Sequence, residues 1–287
     1  VTPAPPHDPD ALTAALEILE CPLCREALER VDGGVRCEAG HHFDVARQGY
    51  ASLRGGASTA TGDTVPMVEA RERVQASGVH DAIAAAVVDA VPTDARWLVD
   101  LGGGTGWHAA RALVARPALR GVVLDASVPA LRRAARAHER LAAVGSDVWR
   151  GIPVGDAGVD VALRVFAPGG GERGAAELER ILAPGARVVI VVPEADHHRE
   201  LVEALGLLRV PAGKAEEAAA SIPGARVVSS TRVSAVHELG REELLDLVMM
   251  GPNAFHHDRS ELVDRLAGWP EPTPVTIAVS VVVLQVA

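Results

Sequence analysis

The sequence predicts an α/β protein, a doubly wound, Rossmann-like domain preceded by a small metal-binding module. Three observations predict it. An apolar strand pattern, Leu98-Val99-Asp100-Leu101, runs into Gly102-Gly103-Gly104-Thr105-Gly106 and then a helical pattern from Trp107 to Ala115. About one βα unit later a second apolar run, Gly121-Val122-Val123-Leu124, ends in Asp125. Near the N-terminus all three cysteines fall with a histidine in the spacing C-x2-C-x12-C-x3-H. The chain accordingly divides into a tail and short helix (1–18), a metal-binding module (19–54), a linker with helices (55–92) and the large α/β domain (93–287).

At 287 residues and 48% hydrophobic content, one large core with a small appendage is expected. No apolar run approaches transmembrane length, and Val1-Thr2-Pro3-Ala4-Pro5-Pro6 lacks the basic and apolar regions of a secretory signal. A cytoplasmic protein without membrane contact is the expectation. An odd number of cysteines does not suit a disulfide framework. A net charge of -10 argues against a broad nucleic-acid-binding surface but leaves room for a local basic groove.

In order along the chain, the proline-rich residues 1 to 10 read as disordered and Ala11 to Leu19 as a short helix. Cys21-Pro22-Leu23-Cys24 makes one knuckle and Cys37 to His41 another, joined by a hairpin turning at Asp32-Gly33-Gly34. Cys21, Cys24, Cys37 and His41 then close a tetrahedral Cys3His zinc site, with His42 the alternative fourth ligand. No redox or open-site constellation accompanies them, so the metal is structural: so short a segment buries too little surface without it. Gly55 to Gly62 reads as a flexible linker and carries no basic residue. Asp63 to Val91 reads as one or two helices with Thr64 as N-cap.

Beyond Asp125, Pro129 to Leu141 reads as an arginine-rich helix with a solvated face, and Val144 to Asp147 as the end of a short third strand. Strands follow at Val159 to Val165 and Ala186 to Val192, separated by a helix from Glu172 to Leu182. The last third alternates helices (Glu200 to Leu208, Arg241 to Met249, Ser260 to Ala267) with two long strands, Arg226 to Val236 and Pro274 to Val286, suited to antiparallel pairing.

A dinucleotide fingerprint needs glycine at the first, third and sixth positions, and counting from Gly102 the sixth is Trp107. What remains, Asp100-x-Gly102-x-Gly104-x-Gly106 followed by Asp125, resembles motif I and the next acidic residue of class I S-adenosylmethionine (SAM) methyltransferases. That resemblance implies that the loop of Gly102, Gly104, Thr105 and Gly106 lies against SAM, that Asp125 binds its ribose and that Asp147 holds its adenine.

Taken together, Cys21-Pro22-x-Cys24, Cys37 to His41, Phe43 to Tyr50, Gly62-Asp63, Met67, Ala70-Arg71, the glycine loop, Val165-Phe166-Ala167-Pro168, Asp196-His197, Ala204 to Val210 and Met250-Gly251-Pro252 resemble one family. It is that of the zinc-containing 23S rRNA guanine-N1 methyltransferases, and the chain is most similar to the branch that includes macrolide-resistance enzymes. The resemblance covers roughly residues 19 to 286. It implies zinc on the four ligands, SAM contacts from Gly104, Thr105 and His197, a homodimer, and an rRNA hairpin as substrate. His80 stands where the family has a SAM-contacting tyrosine.

Methyl transfer is an in-line displacement, so holding the acceptor nitrogen in line with the methyl carbon is most of the work. Enzymes acting on exocyclic base amines carry Asn/Asp-Pro-Pro-aromatic after the fourth strand. Here Arg164-Val165-Phe166-Ala167-Pro168 suits a ring nitrogen, with Arg164 favouring the deprotonated base and Phe166 stacking on it. Residues 21 to 80 hold seven arginines against eight acids, and phosphate contacts dominate RNA affinity. The competing expectation is therefore a small-molecule N-methyltransferase derived from the same family; a SAM- and zinc-binding RNA module without catalysis is a third.

Overall fold

A computed structural model describes residues 9–54 and 62–287. The tail (residues 1–8) and nearly all of the Gly55 to Gly62 linker lie outside the described residues. The N-terminal third comprises helix α1 (Pro9–Ala15), strands β1 (Leu28–Val31), β2 (Gly34–Cys37), β3 (His42–Asp44) and β4 (Ala51–Ser52), and helices α2 (Val65–Ser77) and α3 (Asp81–Ala90). The alternating region follows as β5 (Trp97–Leu101), α4 (Trp107–Ala115), β6 (Arg120–Asp125), α5 (Val128–Ala134), β7 (Leu141–Gly145), β8 (Val159–Val165), α6 (Gly171–Ile181) and β9 (Leu182–Pro193). It ends with α7 (Arg199–Leu205), α8 (Lys214–Ala219), β10 (Arg226–Leu239), α9 (Arg241–Met249), α10 (Arg259–Leu266) and β11 (Thr273–Gln285).

β5 is buried along its whole length because helices or the ribbon cover both faces of the sheet. The eight-stranded sheet has the order β10-β11-β9-β8-β5-β6-β7-β4. Its strands β5 to β9 run parallel, and β11 joins β9 antiparallel through Val281↔Val191. On one face Leu98, Val123 and Leu163 pack with Ile83, Leu113, Leu201 and Leu245. On the other, Val99, Leu124 and Ala162 share a core with Leu12, Leu178 and the ribbon residues Leu28, Val35, Cys37 and Phe43. The ribbon, the three-stranded sheet β1-β2-β3, is thus packed onto the large domain. β4, just past the last metal ligand, pairs in parallel with Val144 and Gly145 and forms one edge of the main sheet.

Several elements differ from the sequence expectation: α1 stops at Ala15 instead of reaching Leu19, which bridges to Val154, and α7 stops at Leu205 instead of Leu208. The arginine-rich helix ends at Ala134 instead of reaching Leu141. The reason is long-range: Leu141 is buried and pairs with Gly121 as the start of β7, while Arg140 donates to the carbonyls of Leu113 and Pro117 at 2.6 and 2.8 Å. The third strand therefore spans Leu141–Gly145 and stops before Asp147. In addition, α8 forms at Lys214–Ala219, where no element was expected.

Candidate cofactor and metal sites

The hairpin of β1 and β2 pairs Leu28 with Cys37, which brings the second knuckle back to the first. One ligand atom from each of Cys21, Cys24, Cys37 and His41 lies within 4.8 Å of every other. Cys24 and Cys37 Sγ are 3.6 Å apart, and His41 Nδ1 is 3.4 Å from Cys37 Sγ and 3.5 Å from Cys21 Sγ. Four donors around one zinc at the usual bond lengths stand ~3.5–4 Å apart, so the donor set fits that ion. His42 is exposed on β3, with its ring 3.9 Å from Asp44, and is not part of the cluster.

At the carboxyl end of β5 the chain turns through Gly102, Gly104 and Gly106, all with positive φ (65°, 56° and 74°). Their N–H groups do not stand free for a ligand. They donate to Leu124 O (2.8 Å), to Asp125 Oδ2 (2.8 Å) and to Gly103 O (2.9 Å), respectively. The glycines act by leaving room: a Cβ on Gly102 would sit 3.0 Å from that of Ala167, and one on Gly103 would sit 2.5 Å from Cγ of Asp100. Both oxygens of Asp100 are buried without a hydrogen-bond partner, and burial, followed by the charge of Asp125, pushes its pKa up to about 7. An unpaired buried carboxylate is costly, and a cationic ligand group relieves it. Asp125 accepts from Gly104 and, at 2.7 Å, from the Ser127 N–H; burial raises its pKa against the pull of those two bonds. An open glycine path, an orphaned acid beneath it and a second acid at the end of the next strand fit SAM.

Thr105 is buried and donates to Gln75 of α2 at 3.0 Å. From the same helix Arg71 bonds Asp63 and the Met250 carbonyl (2.7 Å), and its Nη1 stands 3.1 Å from where a Gly104 Cβ would be. Asp147 closes a turn by accepting from Trp149 N–H at 3.3 Å. Trp149 lies against Gly170, where a Cβ would clash with its ring at 2.4 Å, so glycine at this position makes room for the indole. Arg164 is buried and reaches Ser221 Oγ at 3.3 Å, its Nη1 3.2 Å from a Gly169 Cβ position.

Phe166 takes a positive φ of 55° just past β8 and stays 38% exposed, a strained position for an aromatic residue. Its ring lies 6.0 Å from His80 and 5.9 Å from His197. His197 stacks on His198 at 3.8 Å, and its Nδ1 accepts from the Ala278 N–H at 3.2 Å. His80 Nε2, His198 Nε2 and His108 Nδ1 are buried without partners. Burial depresses these imidazoles, to about 4 for His80 and His197 and about 3 for His108. The sequence thus led to His80, His197 and Phe166 separately, and the fold brings them together. It assigned no site role to Arg71, Gln75, Gly103, His108 or His198; Arg71 and Gln75 act through partners distant in the chain.

Residues 19–54 match the model of the family described as "RlmA, N-terminal", a zinc ribbon. A Streptomyces fradiae protein, the 23S rRNA (guanine(748)-N(1))-methyltransferase, is 41% identical, the match covering 93% of this chain and 96% of its own. A Micromonospora griseorubida protein assigned as a 23S rRNA (guanine-N(1)-)-methyltransferase is 42% identical, over 91% of this chain and 95% of its own. Among solved structures, YjhP from E. coli superposes with a TM-score of 0.52 at 18% identity, covering 78% of this chain and 99% of that one, a likeness of fold. With two-fifths identity sustained along almost the whole length and the metal ribbon at its head, the chain belongs to the 23S rRNA (guanine-N1)-methyltransferase family.

Proposed function

We propose that this protein transfers a methyl group from SAM to N1 of a guanine in a 23S rRNA hairpin loop, as a cytoplasmic homodimer, and that the modification confers macrolide resistance. The observation that carries the reading is identity of 41–42% over more than nine-tenths of the chain to rRNA guanine-N1 methyltransferases, zinc ribbon included. When bound, SAM supplies an electrophilic methyl group. The chain's own residues provide its bed: the path of Gly102 to Gly106, the carboxylates of Asp100 and Asp125, and Thr105 fixed by Gln75. Asp147, two residues past the third strand, is the acid that would hold the adenine. Phe166 offers an exposed ring beside the cofactor loop on which a splayed base can stack.

For the surrounding RNA, the ribbon offers Arg30 and Arg47, which with His138 line a cavity of about 200 Å³ between the ribbon and the start of β7. Arg25 and Arg36, by contrast, are already paired with Glu20, Asp156 and Glu29. That neutralisation, with a net charge of -10, is what favours the second reading, a small-molecule N-methyltransferase. Methyl incorporation from labelled SAM into unmodified 23S rRNA, with nucleosides identified by mass spectrometry, separates the two. 1-Methylguanosine is expected. SAM binding without incorporation would sink the rRNA reading.

A further inference from the structure

A buried guanidinium with no carboxylate beside it is unfavourable unless a bound anion completes it. Arg164 is such a group. It is 7% exposed, and burial pulls its pKa below the usual guanidinium range, with no acid among the described residues opposing that shift. Its one hydrogen bond among the described residues runs from Nη2 to Ser221 Oγ at 3.3 Å, and that hydroxyl gives its own hydrogen to the Ala218 carbonyl at 2.7 Å. Nη1 and Nε have no partner, yet neither is sealed from solvent.

Nη1 is the atom of that guanidinium nearest the start of α6, 3.2 Å from where a Gly169 Cβ would be. The helix opens on Gly170, which has no side chain to cap it, and its first internal bond is Gly174 N–H to Gly170 O at 3.2 Å. The N–H groups of Gly171, Glu172 and Arg173 have no acceptor among the described residues. Free N–H groups at a helix N-terminus attract anions, and here an unpaired cation stands beside them. The half-buried Trp149 indole packs on Gly170 and Gly174 and closes one side. The sequence expectation places Arg164 on the deprotonated base, but its guanidinium and the Phe166 ring leave the end of β8 toward different faces of the sheet. Ser221 follows α8, whose Ala218 shares a core with Leu178. The Phe166 ring lies near His80 and His197, and the adjoining Val79 belongs to the opposite core.

Resting on the rRNA reading above, we propose that Arg164 Nη1 and the first N–H groups of α6 hold a backbone phosphate next to the acceptor guanosine, while Phe166 receives the base. A phosphate offers several oxygens, which suits a guanidinium and backbone N–H groups converging on one point. Residues 166 to 171 connect the two contacts, so one nucleotide spans the loop with its base at the Phe166 end and its phosphate at the α6 end. Glu172 and Arg173, both exposed on the first turn, carry opposite charges, and Arg173 is turned to the Arg150 carbonyl. Arg164 therefore supplies the net positive charge of the site.

The test uses the full-length zinc-loaded enzyme and a hairpin transcript. Arg164→Gln should weaken hairpin affinity and raise KM by about 10–100-fold and reduce the slope of log K against log salt by roughly 1, with kcat at saturating RNA and SAM affinity within about threefold of wild type. A fall in kcat at unchanged KM would put Arg164 on the base and overturn the proposal. Replacing one linkage beside the acceptor guanosine by a neutral methylphosphonate tests the partner directly. On one side, 5′ or 3′, wild type should lose about 10–100-fold in affinity, whereas Arg164→Gln should bind that hairpin as it binds the unmodified one. No loss in wild type at either linkage, or an equal loss in the variant, would overturn the assignment, and the wild-type half of this test needs no variant to fold. Arg164→Gln should melt at or above the wild-type temperature, because it removes an uncompensated buried charge. A lower melting temperature with an unchanged salt slope would make the guanidinium a structural group only, against the proposal. If wild type forms no 1-methylguanosine, the rRNA reading itself fails. The anion site is read apart from it: inorganic phosphate at constant ionic strength should raise the melting temperature of wild type and not that of Arg164→Gln, and an equal rise in both would overturn the site.

Discussion

Asp100 is where a single residue registers the state of the site. Its pKa of about 7 lies above that of an unfolded aspartate, so the folded protein holds a proton that the unfolded chain has released. The resulting stability is fully present below about pH 4 and lost as the pH rises through about 7. Free protein should therefore melt at lower temperature at pH 8 than at pH 5.5, and Asp100→Asn should flatten that slope. A cationic group of SAM settling on the carboxylate should expel the proton. Calorimetry at pH 6.5 in buffers of different ionisation enthalpy should detect its release in wild type and not in Asp100→Asn. Asp125 carries two loop bonds, so Asp125→Ala should weaken SAM binding and also cost about 1–3 kcal/mol, read by denaturant titration.

At the scale of elements, α2 works as a strap across the cofactor loop. Arg71, Arg73 and Gln75 lie along it and reach Met250, Asp246 and Thr105. Arg73 makes a two-pronged contact with Asp246, both bonds 2.7 Å, in which the carboxylate is buried and the guanidinium half exposed. Arg73→Ala should cost about 1–3 kcal/mol by stranding that carboxylate, whereas Asp246→Asn should cost less; thermal melts of the two variants give the order. The ribbon is the other such element. Chelation should release about one zinc per chain and open residues 19–54 to protease, since its own apolar core is small. Absence of zinc by elemental analysis would sink the Cys3His assignment.

For the molecule as a whole, the ribbon shares a core with one face of the sheet, and the cofactor loop lies at the carboxyl ends of the parallel strands. The cavity of Arg30, Arg47 and His138 is instead lined by Leu141 and Ala142, at the opposite, amino end of β7. RNA spanning both would contact the protein across the whole depth of the sheet. Affinity for the hairpin should therefore fall steeply with salt, and the double variant Arg30→Ala/Arg47→Ala should reduce the slope of log K against log salt by roughly 1–2, leaving SAM affinity unchanged. A slope unaffected by the double variant would exclude this cavity from the RNA path.

Taken alone, the sequence determined what short-range physics can determine. Apolar alternation and turn residues marked β8 at Val159–Val165, α4 at Trp107–Ala115 and α9 at Arg241–Met249 with the bounds the structure has. Knuckle spacing likewise selected four metal ligands that do converge. The tertiary structure decided what depends on residues far apart. Helix α5 stops early because Leu141 pairs with Gly121 and Arg140 is drawn to carbonyls more than twenty positions away. Gly102 must leave room for Ala167, and Arg71 meets Met250 across 179 positions. His80, Phe166 and His197 become one cluster only when α3, β8 and the end of β9 are laid side by side. Periodicity and capping report on one turn or one strand at a time, whereas such contacts exist only once burial has fixed the order and register of the sheet.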